Sequence, residues 1–219
     1  MKKPKIKSEF NHLVTQFGLD CKDNQYPLLT NWLVQHPIII ADDVSELMLA
    51  KVEPKLSLKI GAWLEEDLKM KLLSLIFLLA DFSEDQKIDI FYERSIVADI
   101  NGVEVGGKVD CLVSSLTGFA VPNKPYFFMQ EFKKSKGDKQ DPEGQMLAAM
   151  IAAQNLNNNQ KPLYGAFVVG EFWYFTVLES VNYARSEALH LTNGKQLRQV
   201  IATLKKLKEI ILTDLVESK

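Results

Sequence analysis

The sequence predicts an α/β sandwich, a mixed central sheet flanked by helices, with a helical N-terminal extension. Three observations carry this expectation. Apolar residues recur at helical spacing as far as residue 79, the pattern turns to strands from Ile88, and the later elements run three strands, helix, two strands, helix. That order departs from a regular βαβ repeat and fits a sandwich. At 219 residues with 47% apolar content the chain buries one good core. The expected division is a helical extension over 1–56 and a core with its C-terminal helix over 57–219.

Within residues 8–60, Phe10, Leu13, Val14 and Phe17 share a helical face, a second periodic stretch spans Val44 to Val52, and Pro27, Pro37 and Pro54 punctuate the region. An amphipathic helix is expected from about Ser57 or Gly61 to Leu79, with Leu64, Leu68, Leu72, Leu75 and Leu79 on one stripe. Asp81, Ser83 and Asp85 end it.

Tyr92 to Ile100 and Val103 to Val113 flank Asn101-Gly102, a dipeptide whose tolerance of positive φ makes it the preferred two-residue hairpin turn. Tyr126 to Phe132 is an aromatic-rich run expected to be a buried strand, and it ends in Lys133-Lys134-Ser135-Lys136-Gly137. Asp141-Pro142-Glu143 opens a helix: an N-cap acceptor, a proline whose missing N–H costs nothing in the first turn, and an acid favoured by the helix dipole. This helix should reach about Asn155. Leu163 to Val169 and Phe172 to Leu178 form a second hairpin around Gly170-Glu171. From Lys195 to Leu215 an amphipathic helix turns Leu197, Val200, Ile201, Leu204, Leu207 and Ile211 inward.

Charge narrows the function classes. With 26 basic and 28 acidic residues the net charge is −2, so any contact with nucleic acid must be local. Two cysteines without a partner motif, Cys21 and Cys111, fit a reducing compartment, and three scattered histidines give no zinc-ligand spacing. The basic opening Met-Lys-Lys-Pro-Lys is followed by no apolar h-region, and the longest apolar stretch, Leu72 to Ala80, falls well short of the roughly 20 residues that span a bilayer. A cytoplasmic protein with no membrane association is expected.

Polar residues stand where a buried sheet tolerates them only for a reason. Glu131 and Lys133 are two apart at the end of an apolar strand, so they share a face while Phe132 points to the other. Asp110 lies in the strand after the Asn-Gly turn, followed by Cys111, Leu112 and Val113. If these strands are neighbours, both acids can converge on one hard divalent cation such as Mg²⁺, which takes oxygen ligands and keeps several waters. A cation there would lower the pKa of a bound water and neutralise charge on a pentavalent phosphorus, with the Lys133 amine beside it to orient water or face the phosphate.

Val109-Asp110, then Glu131-Phe132-Lys133 on an apolar strand, then a helix opening with Gly144-Gln145 resembles the active-site signature of the PD-(D/E)XK nuclease superfamily, whose restriction-endonuclease-like core is an α/β sandwich. Pro162-Leu163-Tyr164-Gly165 and Phe172-Trp173-Tyr174-Phe175 resemble the hairpin after the active-site helix in nuclease domains related to type I restriction subunits. The resemblance covers about residues 58–180. It implies Asp110 and Glu131 as metal ligands, the Phe132 main-chain carbonyl as a third, and Lys133 as the catalytic lysine. It also implies an active-site or substrate-backbone role for Gln145, and an additional acid from the first core helix, for which Glu65 is the better placed of Glu65 and Glu66. The cofactor would be Mg²⁺ or Mn²⁺ and the substrate DNA, cut to leave a 5′-phosphate and a 3′-hydroxyl. Val109 stands where the family's first motif has proline.

Each residue also has a plainer reading. Glu131 and Lys133 could be a surface ion pair at a strand end, Asp110 a polar residue on an outward face, Gln145 an ordinary first-turn glutamine and Glu65 a solvated helix residue. Lys134, Lys136 and Lys139 could be a solvated loop or could contact phosphates beside the site. The aromatic run Phe172 to Phe175 reads as core. A second function class is a non-catalytic nucleic-acid-binding or structural subunit that retains the nuclease fold. The N-terminal helices and basic C-terminal helix could serve a homodimer or the docking of a partner subunit.

Overall fold

A computed structural model of the chain describes residues 3–35, 43–84, 87–117, 121–133 and 141–215. The helices are α1 (Phe10–Phe17), α2 (Pro27–Trp32), α3 (Asp43–Lys59), α4 (Glu65–Leu68), α5 (Ser74–Ala80), α6 (Pro142–Asn157) and α7 (Gly194–Ile210). The strands are β1 (Asp20–Lys22), β2 (Ile88–Ile100), β3 (Val103–Thr117), β4 (Val121–Lys133), β5 (Leu163–Val169), β6 (Phe172–Glu179), β7 (Asn182–Arg185) and β8 (Leu189–His190). They form one open mixed sheet in the order β1-β7-β6-β5-β4-β3-β2, with β8 also on β6. The pairs β4–β5 and β1–β7 are parallel and the others antiparallel. The expected α/β architecture with a mixed sheet between helices is what the chain adopts.

Two apolar cores lie on the two faces of the sheet. On one, α6 buries Met146, Leu147, Met150 and Ile151 with Val109, Leu112, Met129, Phe167 and Tyr183, and α1 adds Leu13. On the other, α2, α3, α5, the turn leading into α5 and α7 pack Trp32, Leu49, Leu72, Ile76, Phe77, Val200 and Leu204 against Phe128, Phe132, Trp173 and Phe175. The centre of α6, Met146 to Ala153, is small or apolar on every side and buried throughout, as expected of a helix covered on more than one flank.

The turn chemistry is used as read. Asn101 and Gly102 take φ of 54° and 82°, closing the β2–β3 hairpin. Asp141 caps α6 by accepting the Gly144 N–H at 2.9 Å, and its second oxygen accepts the Phe10 N–H at 2.8 Å, tying α1 to that helix start.

Two differences from expectation bear on the site. The single helix expected up to Leu79 is broken: α3 runs to Lys59, a 3₁₀ turn spans Ile60–Ala62, and a new helix begins at Glu65. Within that second helix, Lys69–Leu73 is a π-turn, in which the Ser74 N–H reaches back to the Lys69 carbonyl. The extra residue widens the apolar stripe, so the buried positions are Leu68, Leu72, Leu73, Ile76, Phe77, Leu79 and Ala80, while Leu64 is left exposed. Second, the N-terminal region is not helical throughout. Asp20–Lys22 add an edge strand beside β7, and Trp32 is buried edge-on between Tyr164 and Phe175 with its Nε1–H donated to the Thr203 carbonyl at 3.0 Å. Residue 56 itself lies inside α3. Among the described residues no helix is long and apolar enough to cross a membrane.

Candidate functional site

The β3–β4 ladder ends at the pair Cys111–Gln130, where the strands part. Continuing the same register by one residue sets Asp110 opposite Glu131, and opposed residues of an antiparallel pair share a face. Asp110 then uses the gap: its Oδ2 accepts the Phe132 N–H at 2.8 Å. The next carbonyl, that of Lys133, accepts the Gly170 N–H on the other side of the strand at 2.8 Å. A strand residue's N–H and C=O point the same way, so the Phe132 carbonyl is directed toward Asp110.

Glu131 is 3% exposed, and its Oε1 has no hydrogen-bond partner among the described groups. Burial, reinforced by the negative charge of Asp110 and only partly offset by Lys133, pushes its carboxyl up to about 9. Lys133 is on the same face, nearly buried, with its Nζ 3.7 Å from Glu65 Oε2. Glu65 enters from the first turn of α4 and also lies 2.9 Å from the Lys69 Nζ.

Lys69 joins these groups. Its Nζ donates to Asp110 Oδ1 at 2.7 Å and lies 3.3 Å from Glu93 Oε1 and 3.7 Å from Glu66 Oε1. Burial works to lower its pKa, but the hydrogen bonds to Asp110 and Glu65 and their charges outweigh it, and the ammonium is held well above its ordinary range. Glu93 sits across from Asp110, between the paired positions Tyr92–Cys111 and Arg94–Val109, in a left-handed backbone conformation with φ 55°. Its hydrogen bond from Lys108, with the Lys69 charge, holds its carboxyl down at about 2 against the opposing effect of burial.

Of the residues expected from sequence, the fold brings together Asp110, Glu131, Lys133, the Phe132 main chain and Glu65. Gln145 lies half-buried in the first turn of α6, the helix that packs across β3 and β4. Lys134, Lys136 and Lys139 lie outside the described residues. Sequence reasoning missed Lys69 and Glu93, and a signal existed for both. Lys69 is four residues after Glu65 on one helix, the spacing of an ion pair, and counting outward from the Asn101-Gly102 turn pairs residue 93 with residue 110.

The arrangement has the donor chemistry of a hard-cation site. Two carboxyls are held side by side, one of them with a buried unpartnered oxygen, next to a backbone carbonyl. Among the described residues no three His, Cys, Asp or Glu side chains form a ready cage. A cation held here would take Asp110, Glu131 and the Phe132 carbonyl and keep waters in its other positions, as Mg²⁺ does. Glu65 connects to Asp110 through Lys69 instead of sharing the pair directly. A pocket of about 550 Å³ elsewhere is lined by Phe10, Glu143, Tyr174, Tyr183 and Arg185 and not by these carboxylates. No protein-family model matches the chain, and no match was found among curated proteins.

Proposed function

We propose that this chain is a divalent-metal-dependent nuclease of the PD-(D/E)XK, restriction-endonuclease-like kind, hydrolysing phosphodiester bonds of DNA at Asp110, Glu131 and Lys133. The observation that carries this reading is the buried Glu131 carboxyl, one oxygen unpartnered, beside Asp110 at the point where β3 and β4 part. Packing alone gives no reason to set the buried Glu131 beside Asp110, since each acid raises the cost of ionising the other. A site that must attract a dication does.

Asp110 and Glu131 would hold Mg²⁺ or Mn²⁺ together with the Phe132 carbonyl. When bound, the metal supplies Lewis acidity, lowering the pKa of water and stabilising charge on the phosphoryl oxygens. The chain's own residues do the positioning. The Phe132 N–H fixes the Asp110 carboxylate so that one oxygen stays turned to the site. Glu65, in ion-pair range of the Lys133 Nζ, aims it along the same face as Glu131. From there Lys133 orients the attacking water or faces a non-bridging oxygen of the phosphate.

The test uses the purified chain and Lys133→Ala with single-stranded and duplex DNA in Mg²⁺, Mn²⁺ or EDTA. Cleavage that needs metal and disappears in the variant is expected. Metal-dependent cleavage that persists in Lys133→Ala refutes the lysine's role, and binding of DNA without cleavage by either protein favours a non-catalytic subunit.

A further inference from the structure

The Lys69 ammonium does not fit the simple picture of an empty metal site. It is 17% exposed and has four carboxylates within 3.7 Å: Asp110, Glu65, Glu93 and Glu66. An ammonium has three protons to donate, so it cannot satisfy all four well. Among the described residues five carboxyls, Glu131 included, surround the site, and the amines paired to them are those of Lys69, Lys108 and Lys133. When all are ionised, the surplus is two negative charges, the charge of one divalent cation.

The shortest of Lys69's four contacts is to Asp110 Oδ1. Oδ2 of the same carboxylate is taken by the Phe132 N–H, which leaves Oδ1 as the oxygen that faces the site. The backbone is built around this lysine, because Lys69 begins the π-turn whose wider loop breaks the regular helical phase. Single π-turns inside helices recur at functional positions.

We propose that Lys69 is a resident monocation of the metal site. Its ammonium holds Asp110 Oδ1 in the metal-free protein and must give up that oxygen before a divalent cation binds. Lys69 therefore stabilises the unloaded fold and weakens metal affinity at once, so that the site fills only where the divalent cation is plentiful enough to displace it. After displacement, Glu65, Glu66 and Glu93 retain the ammonium, which lets the exchange proceed without expelling a charge into the core.

The inference rests on the metal site proposed above, and one set of measurements separates the two. Mn²⁺ binding is followed by the loss of its free electron-paramagnetic-resonance signal, and thermal unfolding is followed in EDTA and in Mn²⁺, for the wild type, Asp110→Asn, Lys69→Met and Lys69→Arg. The expected result is that Lys69→Met melts lower in EDTA yet binds Mn²⁺ on the order of tenfold more tightly, about 1.4 kcal/mol. Lys69→Arg, whose rigid fork matches a carboxylate, should bind Mn²⁺ more weakly than wild type. Should Lys69→Met fail to fold, the Arg variant alone decides: unchanged or tighter Mn²⁺ binding in it overturns the proposal. Equal or weaker binding by a folded Lys69→Met also overturns it, while wild-type binding abolished by Asp110→Asn leaves the metal site standing. If neither the wild type nor any Lys69 variant binds Mn²⁺, both readings fall.

Discussion

Phe132 donates its main-chain N–H to Asp110 across the gap where β3 and β4 separate, so the strand bearing Glu131 and Lys133 is latched to the other acid by one charge-assisted bond. Asp110 has a structural duty as well as a chemical one, and two substitutions separate them. Asp110→Asn keeps an acceptor for Phe132 and should fold with a modest loss, whereas Asp110→Ala strands the Phe132 N–H and removes the shortest of the Lys69 contacts and should cost about 2–4 kcal/mol. Urea titration in EDTA measures the difference, and both variants should lose metal-dependent cleavage.

Glu131 gives stability a pH dependence of unusual sign for a carboxylate. The folded protein holds its proton to about 9, while the unfolded chain releases it near 4.5. Its contribution is therefore fully present below 4.5 and is lost as pH rises toward 9. Glu131→Gln should match the wild type at pH 4 and exceed it by roughly 2–3 kcal/mol at pH 7 in EDTA. Unfolding at both pH values checks this, and a variant less stable than wild type at pH 7 would contradict it.

Lys133→Ala should lower the cleavage rate by about 10²–10⁴-fold, the range for loss of a positioned proton-transfer or charge-bearing group. Its ion pair with Glu65 is long, 3.7 Å, so the melting point should move by less than the equivalent of about 1 kcal/mol. Calorimetry beside a single-turnover assay distinguishes a chemical role from a packing one.

Gly106 has φ +107°, and a Cβ there would stand 2.1 Å from the Ile96 carbonyl and 3.0 Å from the Ala152 Cβ. Neither is the free end of a long side chain. Gly106→Ala should destabilise by about 2–4 kcal/mol by forcing β2 and α6 away from β3, four residues before Asp110.

Trp32→Ala should cost about 3–5 kcal/mol, because the indole is fully buried between Tyr164 and Phe175 and its N–H is satisfied by Thr203. A fragment of residues 57–219 alone exposes the same rings and should be poorly soluble; a cooperative melt of that fragment would count against this account.

Strands β2 to β6, their hairpin turns and the acid–acid–lysine triplet were readable because each rests on local chemistry, whereas the short strands β7 and β8 were not expected. Asn101-Gly102 fixes a turn, period-two alternation places Glu131 with Lys133, and Asp141-Pro142-Glu143 starts α6. The π-turn was not readable. Leu64, Leu68, Leu72, Leu75 and Leu79 form a credible stripe for an unbroken α-helix; Leu68, Leu72 and Leu79 are buried as read, and only packing against the sheet adds Leu73, Ile76 and Phe77 while leaving Leu64 bare. The edge strand at Asp20–Lys22 escaped for a similar reason: three polar or small residues have no period, and pairing with β7 gives them their form. Lys69 lay hidden because its partners come from β2, β3 and its own helix, a convergence that exists only after the sheet is assembled.

The left-handed residue at Glu93 bears on more than the charges it meets. Strand β2 is 13 residues long and forms an open border of the sheet, with Tyr92 and Val97 partly bare along it. A long, straight border of that kind invites a neighbouring chain to add a strand and begin aggregation. At Glu93 the backbone turns out of the extended conformation, so an incoming strand would lose its pairing there and meet an ionised carboxylate as well. The kink that lends an acid to the Lys69 cluster thus also interrupts the template for self-association, and straightening it would be expected to reduce solubility before it reduced folding.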